Sequence, residues 1–126
     1  MRPDGRPESA PDTSQVITKA TIRAAERLSI KNNVLAKIVG VSEPTVSRMR
    51  KGEYLLEPSQ KAFELAILFI RLYRSLDAIV GGDDSVAAAW LKNENKAFDV
   101  TPIELIQTVA GLSNVIAYID SRRAVT

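Results

Sequence analysis

Between Asn33 and Gly52 the chain reads Asn-Val-Leu-Ala-Lys-Ile-Val-Gly-Val-Ser-Glu-Pro-Thr-Val-Ser-Arg-Met-Arg-Lys-Gly, with hydroxyls and cations set among apolar residues at three- and four-residue spacing. If Val46 and Met49 turn inward on a helix, then Glu43, Pro44, Ser47, Arg48 and Lys51 turn outward and Thr45 lies at the margin. The chemistry open to such a face is recognition. Arg48 can donate two parallel N–H bonds to guanine, and Ser47 and Thr45 can reach bases or phosphates. Lys37, Arg50 and Lys51 are placed to hold phosphates. Glu43 works against this, since a carboxylate repels phosphate unless it accepts from cytosine.

Reaction chemistry has little to stand on. The 126 residues include no His and no Cys, which removes the commonest general base, thiolate nucleophiles, disulfides and Cys-type zinc sites, and fits a reducing compartment. Asp83-Asp84 could be read as paired catalytic carboxylates, but the bases, nucleophiles and ligands that would support them are missing nearby, and acids there suit a helix N-terminus. No metal or cofactor is expected. At 45% apolar and 25% charged the composition is that of a globular protein, enough for one domain or two small ones sharing a core. The longest apolar run, six residues from Leu65 to Ile70, is far short of the ~20 that span a bilayer. The opening residues have no apolar stretch of the kind a secretory signal needs, so the expected location is the cytoplasm, away from membranes.

The net charge of +2 hides an uneven distribution. Residues 16–52 carry 8 basic and 2 acidic side chains, whereas residues 53–126 carry 7 and 10. A cationic block followed by an acidic half is the pattern of a chain that meets phosphates with one part only.

The elements that must position this face are helices, because alternating apolar–polar strand patterns are nearly absent and apolar residues recur at helical spacing. Residues 1–12 read as a disordered tail. A first helix begins near Thr13 or Ser14, either of which can cap it, and carries Val16, Ile17, Ala20, Ala24 and Leu28 on one face. Two short helices over 33–39 and 43–51 follow. Ala36 is small enough for them to cross, Gly40 can take the positive-φ turn between them, Ser42 can cap the second, and Pro44 sits where its missing N–H had no partner. A long helix runs from Glu57-Pro58-Ser59 to Val80, ~34 Å at ~1.5 Å per residue. It is apolar nearly all round. Beside the stripe through Ala62, Leu65, Phe69, Leu72 and Leu76 lies a second one, Phe63, Ile67 and Ile70, available either to the C-terminal helices or to a second copy of the chain. Beyond Gly81-Gly82 come a helix with Val86, Trp90 and Leu91, a helix from a Thr101–Glu104 capping box to Gly111, and a last one from Ser113 to about Arg122. The chain thus divides into a tail (1–12), a helix-turn-helix unit (13–56), a central helix for linking or dimerisation (57–80) and a C-terminal helical domain (81–126).

Leu35-Ala36, Gly40-Val41-Ser42, Thr45-Val46-Ser47-Arg48 and Gly52 resemble the Xre/Cro-type helix-turn-helix, in which the second helix enters the major groove by its N-terminal end. Trp90, Asn95, Phe98, Pro102, Leu105, Gly111 and Val115 are similar in spacing to the toxin-binding domain of the MbcA/ParS/Xre antitoxins. Together the two resemblances span about residues 16–120. They imply an all-α antitoxin with no catalytic activity of its own. Its partners would be a cognate toxin, often a RES-type enzyme that consumes NAD or a related ADP-ribosyltransferase, double-stranded operator DNA in front of its own operon, and a second copy of itself. On that reading Trp90, Asn95, Phe98 and Tyr118 belong to the toxin-binding region, with Trp90 at helical spacing also readable as core. Arg122 and Arg123 form a basic end able to enter a pocket that binds a dinucleotide phosphate.

A second class of function fits the same residues. A stand-alone Xre-family repressor would use its C-terminal half to dimerise or to sense a ligand. A toxic neighbour that co-purifies with the chain separates the first reading from the second.

Overall fold

The computed structural model describes residues 12–125. Among them are seven helices and no strand: α1 (Thr13–Arg27), α2 (Asn32–Val39), α3 (Glu43–Arg50), α4 (Lys61–Ile79), α5 (Asp84–Lys92), α6 (Pro102–Leu105) and α7 (Val109–Val125). The expected all-α architecture is present. The tail reading lies outside the described residues except at Asp12, which belongs to the fold. Asp12, not Thr13 or Ser14, caps α1: its carboxylate accepts from the Ser14 N–H at 2.8 Å and the Gln15 N–H at 3.4 Å.

α1, α2 and α3 form the helix-turn-helix unit. Gly40 ends α2 with φ +77°, and the N–H groups of Gly40 and Val41 both return to the Ala36 carbonyl. The glycine is needed for that backbone conformation rather than for space, since a Cβ there would meet only Leu65 at an ordinary 3.6 Å. Ser42 caps α3 by accepting from the Thr45 N–H at 3.2 Å, with Pro44 in the first turn. The segment leaving α3 is fastened back to α1, where the buried Thr18 hydroxyl accepts from the Leu56 N–H at 2.9 Å.

α4 is the spine, packing on α1 and α2 on one side and on α7 on the other. Leu35, Val46, Phe69, Leu72, Leu91, Leu112 and Ile119, drawn from α2, α3, α4, α5 and α7, sit in one continuous buried cluster. At ~1.5–3 kcal/mol for each large apolar side chain taken from water, that cluster is the principal source of stability.

Three expectations about helix limits need correction. α4 begins at Lys61, not at Pro58, because residues 57–60 close a turn in which the Gln60 N–H donates to the Glu57 carbonyl and the Gln60 side chain accepts from the Glu57 N–H. The Thr101–Glu104 capping box does not form. The Thr101 hydroxyl is buried without a hydrogen-bond partner among the described residues, and Glu104 donates only to the Thr101 carbonyl. Gly111 ends no helix but lies inside α7. A Cβ on it would fall 1.9 Å from the Leu105 carbonyl oxygen, so its lack of a side chain lets α7 press against the end of α6.

Candidate functional site

The cationic face predicted from the sequence is assembled on α2 and α3. Lys37, Ser42, Glu43, Pro44, Arg48 and Lys51 are exposed, and Ser47 is half-buried. Thr45 is 8% exposed and turned inward, where its hydroxyl pairs with Ser42 Oγ at 2.8 Å. It therefore stands behind the exposed side chains of this face. Its Oγ1 accepts from Arg48 Nη2 at 3.2 Å, so the buried threonine orients the exposed arginine.

Arg50, expected to hold a phosphate, is engaged within the fold. Its Nε donates to Asn32 Oδ1, its Nη2 to the Ile30 carbonyl at 3.5 Å, and its Nη1 lies 4.0 Å from Glu26. These bonds lock α3 to the start of α2 and to α1. Asn32 in turn donates to Ser47 Oγ at 3.5 Å.

Two members of this surface escape sequence reading, Asn32 and Tyr54. The Tyr54 ring lies under Arg48 with the guanidinium carbon 5.5 Å from its centroid, an attractive cation–π contact. Gly52, with φ +76°, turns the chain back so that Tyr54 can reach Arg48. An aromatic two residues beyond that glycine was the available signal. Arg48, Lys37 and Lys51 thus present three cations, one of them held at a fixed angle by an aromatic plate and a hydroxyl.

The second assembly is in the C-terminal half. Tyr118 on α7 stacks on Trp90 of α5 at 6.3 Å between centroids and meets Phe98 edge-on at 5.0 Å. All three are half-buried against the core, so each has a packed side and an accessible one. Asn95 shapes the loop that delivers Phe98: its Oδ1 accepts from the Ala97 N–H at 2.9 Å, and its carbonyl accepts from the N–H groups of Phe98 and Asp99. Arg122 and Arg123 lie in the last turn of α7, where cations complement the helix dipole. Both are exposed, and Arg123 also donates to the buried Ser75 Oγ at 3.1 Å.

The two assemblies are joined. Arg27 at the end of α1 pairs with Asp84 at the start of α5 at 3.5 Å, and Tyr73 of α4 donates to the same carboxylate at 3.3 Å. Burial, then the nearby Asp77, raises the Tyr73 phenol above its ordinary pKa. Asp83 caps α5, and hydrogen bonds from Ser85 and Val86 hold its carboxyl below the usual range. The Asp83-Asp84 pair thus makes a helix start and a bridge between helices. No group of metal-ligating side chains is found among the described residues, and no described helix is long and apolar enough to cross a membrane.

The expected dimer stripe is divided by the fold. Phe63 is 7% exposed and belongs to the core of its own chain, because α4 is covered on that side within the molecule. Ile67 and Ile70 instead line an open groove together with arginines.

Fold and surfaces define a helix-turn-helix protein whose second half is a helical unit bearing a half-buried aromatic cluster. Comparison with known families makes this specific. Residues 9–71 match the antitoxin Xre-like helix-turn-helix domain, and residues 75–124 match the antitoxin Xre/MbcA/ParS C-terminal toxin-binding domain. The chain belongs to the Xre-like antitoxin family and carries that family's toxin-binding domain. No curated protein matches it.

Proposed function

We propose that this chain is the antitoxin of a type II toxin–antitoxin pair, that its toxin is a RES-type NAD-consuming enzyme or a related ADP-ribosyltransferase, and that it represses its own operon by binding operator DNA. The observation that carries the DNA half is the pre-set Arg48, exposed on α3 and held by Thr45 and Tyr54, with Lys37 and Lys51 also exposed. Such a helix reads base edges with Arg48 and Ser47 while the lysines fix its register on the phosphates. Two copies on a palindromic site, their recognition helices ~34 Å apart, supply the affinity that one short helix lacks.

On this reading the toxin meets the accessible sides of Trp90, Phe98 and Tyr118, aromatic anchors of the kind that dominate protein interfaces. Asn95 holds their loop, and Arg122 reaches toward the toxin's phosphate-binding pocket. Co-expression with the product of the neighbouring reading frame tests both halves. The chain is expected to rescue growth, to co-purify with that product, and to retard the DNA upstream of the operon. A harmless neighbour that does not co-purify, combined with an operator shift that depends on a small molecule, would replace this reading with a stand-alone repressor.

A further inference from the structure

The groove bounded by α1, α4 and α7 has no assigned role. It encloses about 970 Å³ and is lined by Ile17, Ile67, Ile70, Arg71, Arg74, Ser75, Asp120 and Arg123. Two of its properties point to a ligand. Residues 53–126 are acidic in sum, yet three of the seven basic side chains in that half converge here. Among the described lining residues Asp120 is the single carboxylate, and both its oxygens are engaged, one accepting from Arg71 Nη2 at 2.6 Å and the other from Ser75 Oγ at 3.1 Å. Ser75, 3% exposed, also accepts from Arg123, so a buried hydroxyl and a carboxylate fix two of the three guanidiniums at the groove wall. Arg74 lies one turn from Arg71 and makes no hydrogen bond or ion pair among the described residues. Its exposed guanidinium, with five donors, is part of the groove lining.

We infer that this groove binds a small organic phosphate, with the phosphoryl group on Arg74 and Arg71 and an apolar body against Ile17, Ile67 and Ile70. Guanidinium forks match phosphate oxygens two by two, and a phosphoryl group with about two negative charges suits a site where, among the described lining residues, cations outnumber carboxylates. The apolar wall, including an Ile67 that is 43% exposed, gives an organic ester an advantage over the inorganic ion. The groove lies apart from the α2–α3 face and from the aromatic cluster, but it shares Ile67 and Ile70 with the stripe read as available to a second copy and Arg123 with the basic end, so a second copy is its competing occupant.

Phenyl phosphate and inorganic phosphate, titrated separately into the full 15N-labelled chain, test it. Saturable amide shifts are expected at residues 67–75 and 117–123, with phenyl phosphate binding about 10-fold tighter than the inorganic ion. Arg74→Ala should weaken both ligands about 10-fold or more. Arg74→Lys, which keeps the charge but loses the fork, should fall between. Ile67→Ser should weaken phenyl phosphate and leave inorganic phosphate unchanged, and Lys92→Ala, on the distant α5, should change neither. The amide spectrum of each variant reports its fold directly. Shifts confined to α2 and α3, no saturation, or equal affinity in Arg74→Ala would overturn the inference. So would sedimentation showing a dimer that Ile67→Ser dissolves, because a second copy would then fill the groove.

Discussion

Arg48 is the exposed cation of α3 and Tyr54 the ring beneath it, two side chains brought together across the turn at Gly52. An arginine with one donor on Thr45 and its flat face on an aromatic ring loses less freedom when it meets a base. On an operator, Arg48→Ala should therefore cost about 1–3 kcal/mol and relax sequence preference. Tyr54→Leu should cost about 0.5–1 kcal/mol of the same preference, while Tyr54→Phe keeps it. Fluorescence anisotropy with the operator and a scrambled duplex measures both. Equal loss on the two duplexes in Tyr54→Leu would show that the ring does not act through Arg48.

Lys51 and Arg50 are neighbours in different settings, Lys51 exposed and Arg50 bonded to Asn32 and the Ile30 carbonyl. Lys51→Ala should weaken binding to every duplex alike and reduce the salt slope by about 1, as expected for one phosphate contact. Arg50→Ala should act on the fold instead, because it removes the bonds to Asn32 and the Ile30 carbonyl, with a loss of about 1–2 kcal/mol in urea unfolding. An Arg50→Ala variant of normal stability but poor DNA binding would return Arg50 to the phosphate-contacting set.

Gly111→Ala is expected to be among the most damaging single substitutions. The added methyl would collide with the Leu105 backbone, and neither α6 nor α7 can yield without uncovering Ile106 and Leu112. A loss above about 3 kcal/mol is the expected scale for such overpacking. Gly52→Ala meets no neighbour within 4 Å and should cost only about 1 kcal/mol, for its left-handed backbone. Thermal melts of the pair compare steric and conformational cost directly.

The Tyr73 phenol ties stability to alkaline pH. Its pKa is raised in the folded chain, so its contribution is complete below the ordinary phenol value near 10 and is lost as pH rises through the folded value. Melting temperature should fall in that window, and the fall should be smaller in Tyr73→Phe, which cannot ionise. Identical alkaline profiles in the two proteins would remove Tyr73 as the cause.

Much of the recognition unit was legible because its determinants are local. Gly40, Ser42 and Pro44 each act within one turn of where they stand, and the limits of α2 and α3 follow from them to within a residue. What escaped was set by contacts across the sequence. Asn32 and Arg50 are 18 residues apart, so their bond leaves no mark in a helical repeat. Phe63 looked available because periodicity shows that a face is apolar without showing what covers it. Gly111 looked like a stop signal and is instead a close-approach position, a distinction that depends on where the Leu105 carbonyl lies. The capping-box spelling at Thr101 failed for a related reason, since its hydroxyl is sealed inside the fold.

The two family matches meet inside α4, one ending at residue 71 and the other beginning at 75. That seam cuts a single unbroken rod whose Phe69, Leu72 and Leu76 are covered only when both flanks are in place. Either half, excised alone, is expected to expose part of that rod and to lose stability. Heat or denaturant should dissolve the pair in one shared transition, so damage at either end is felt by the whole molecule.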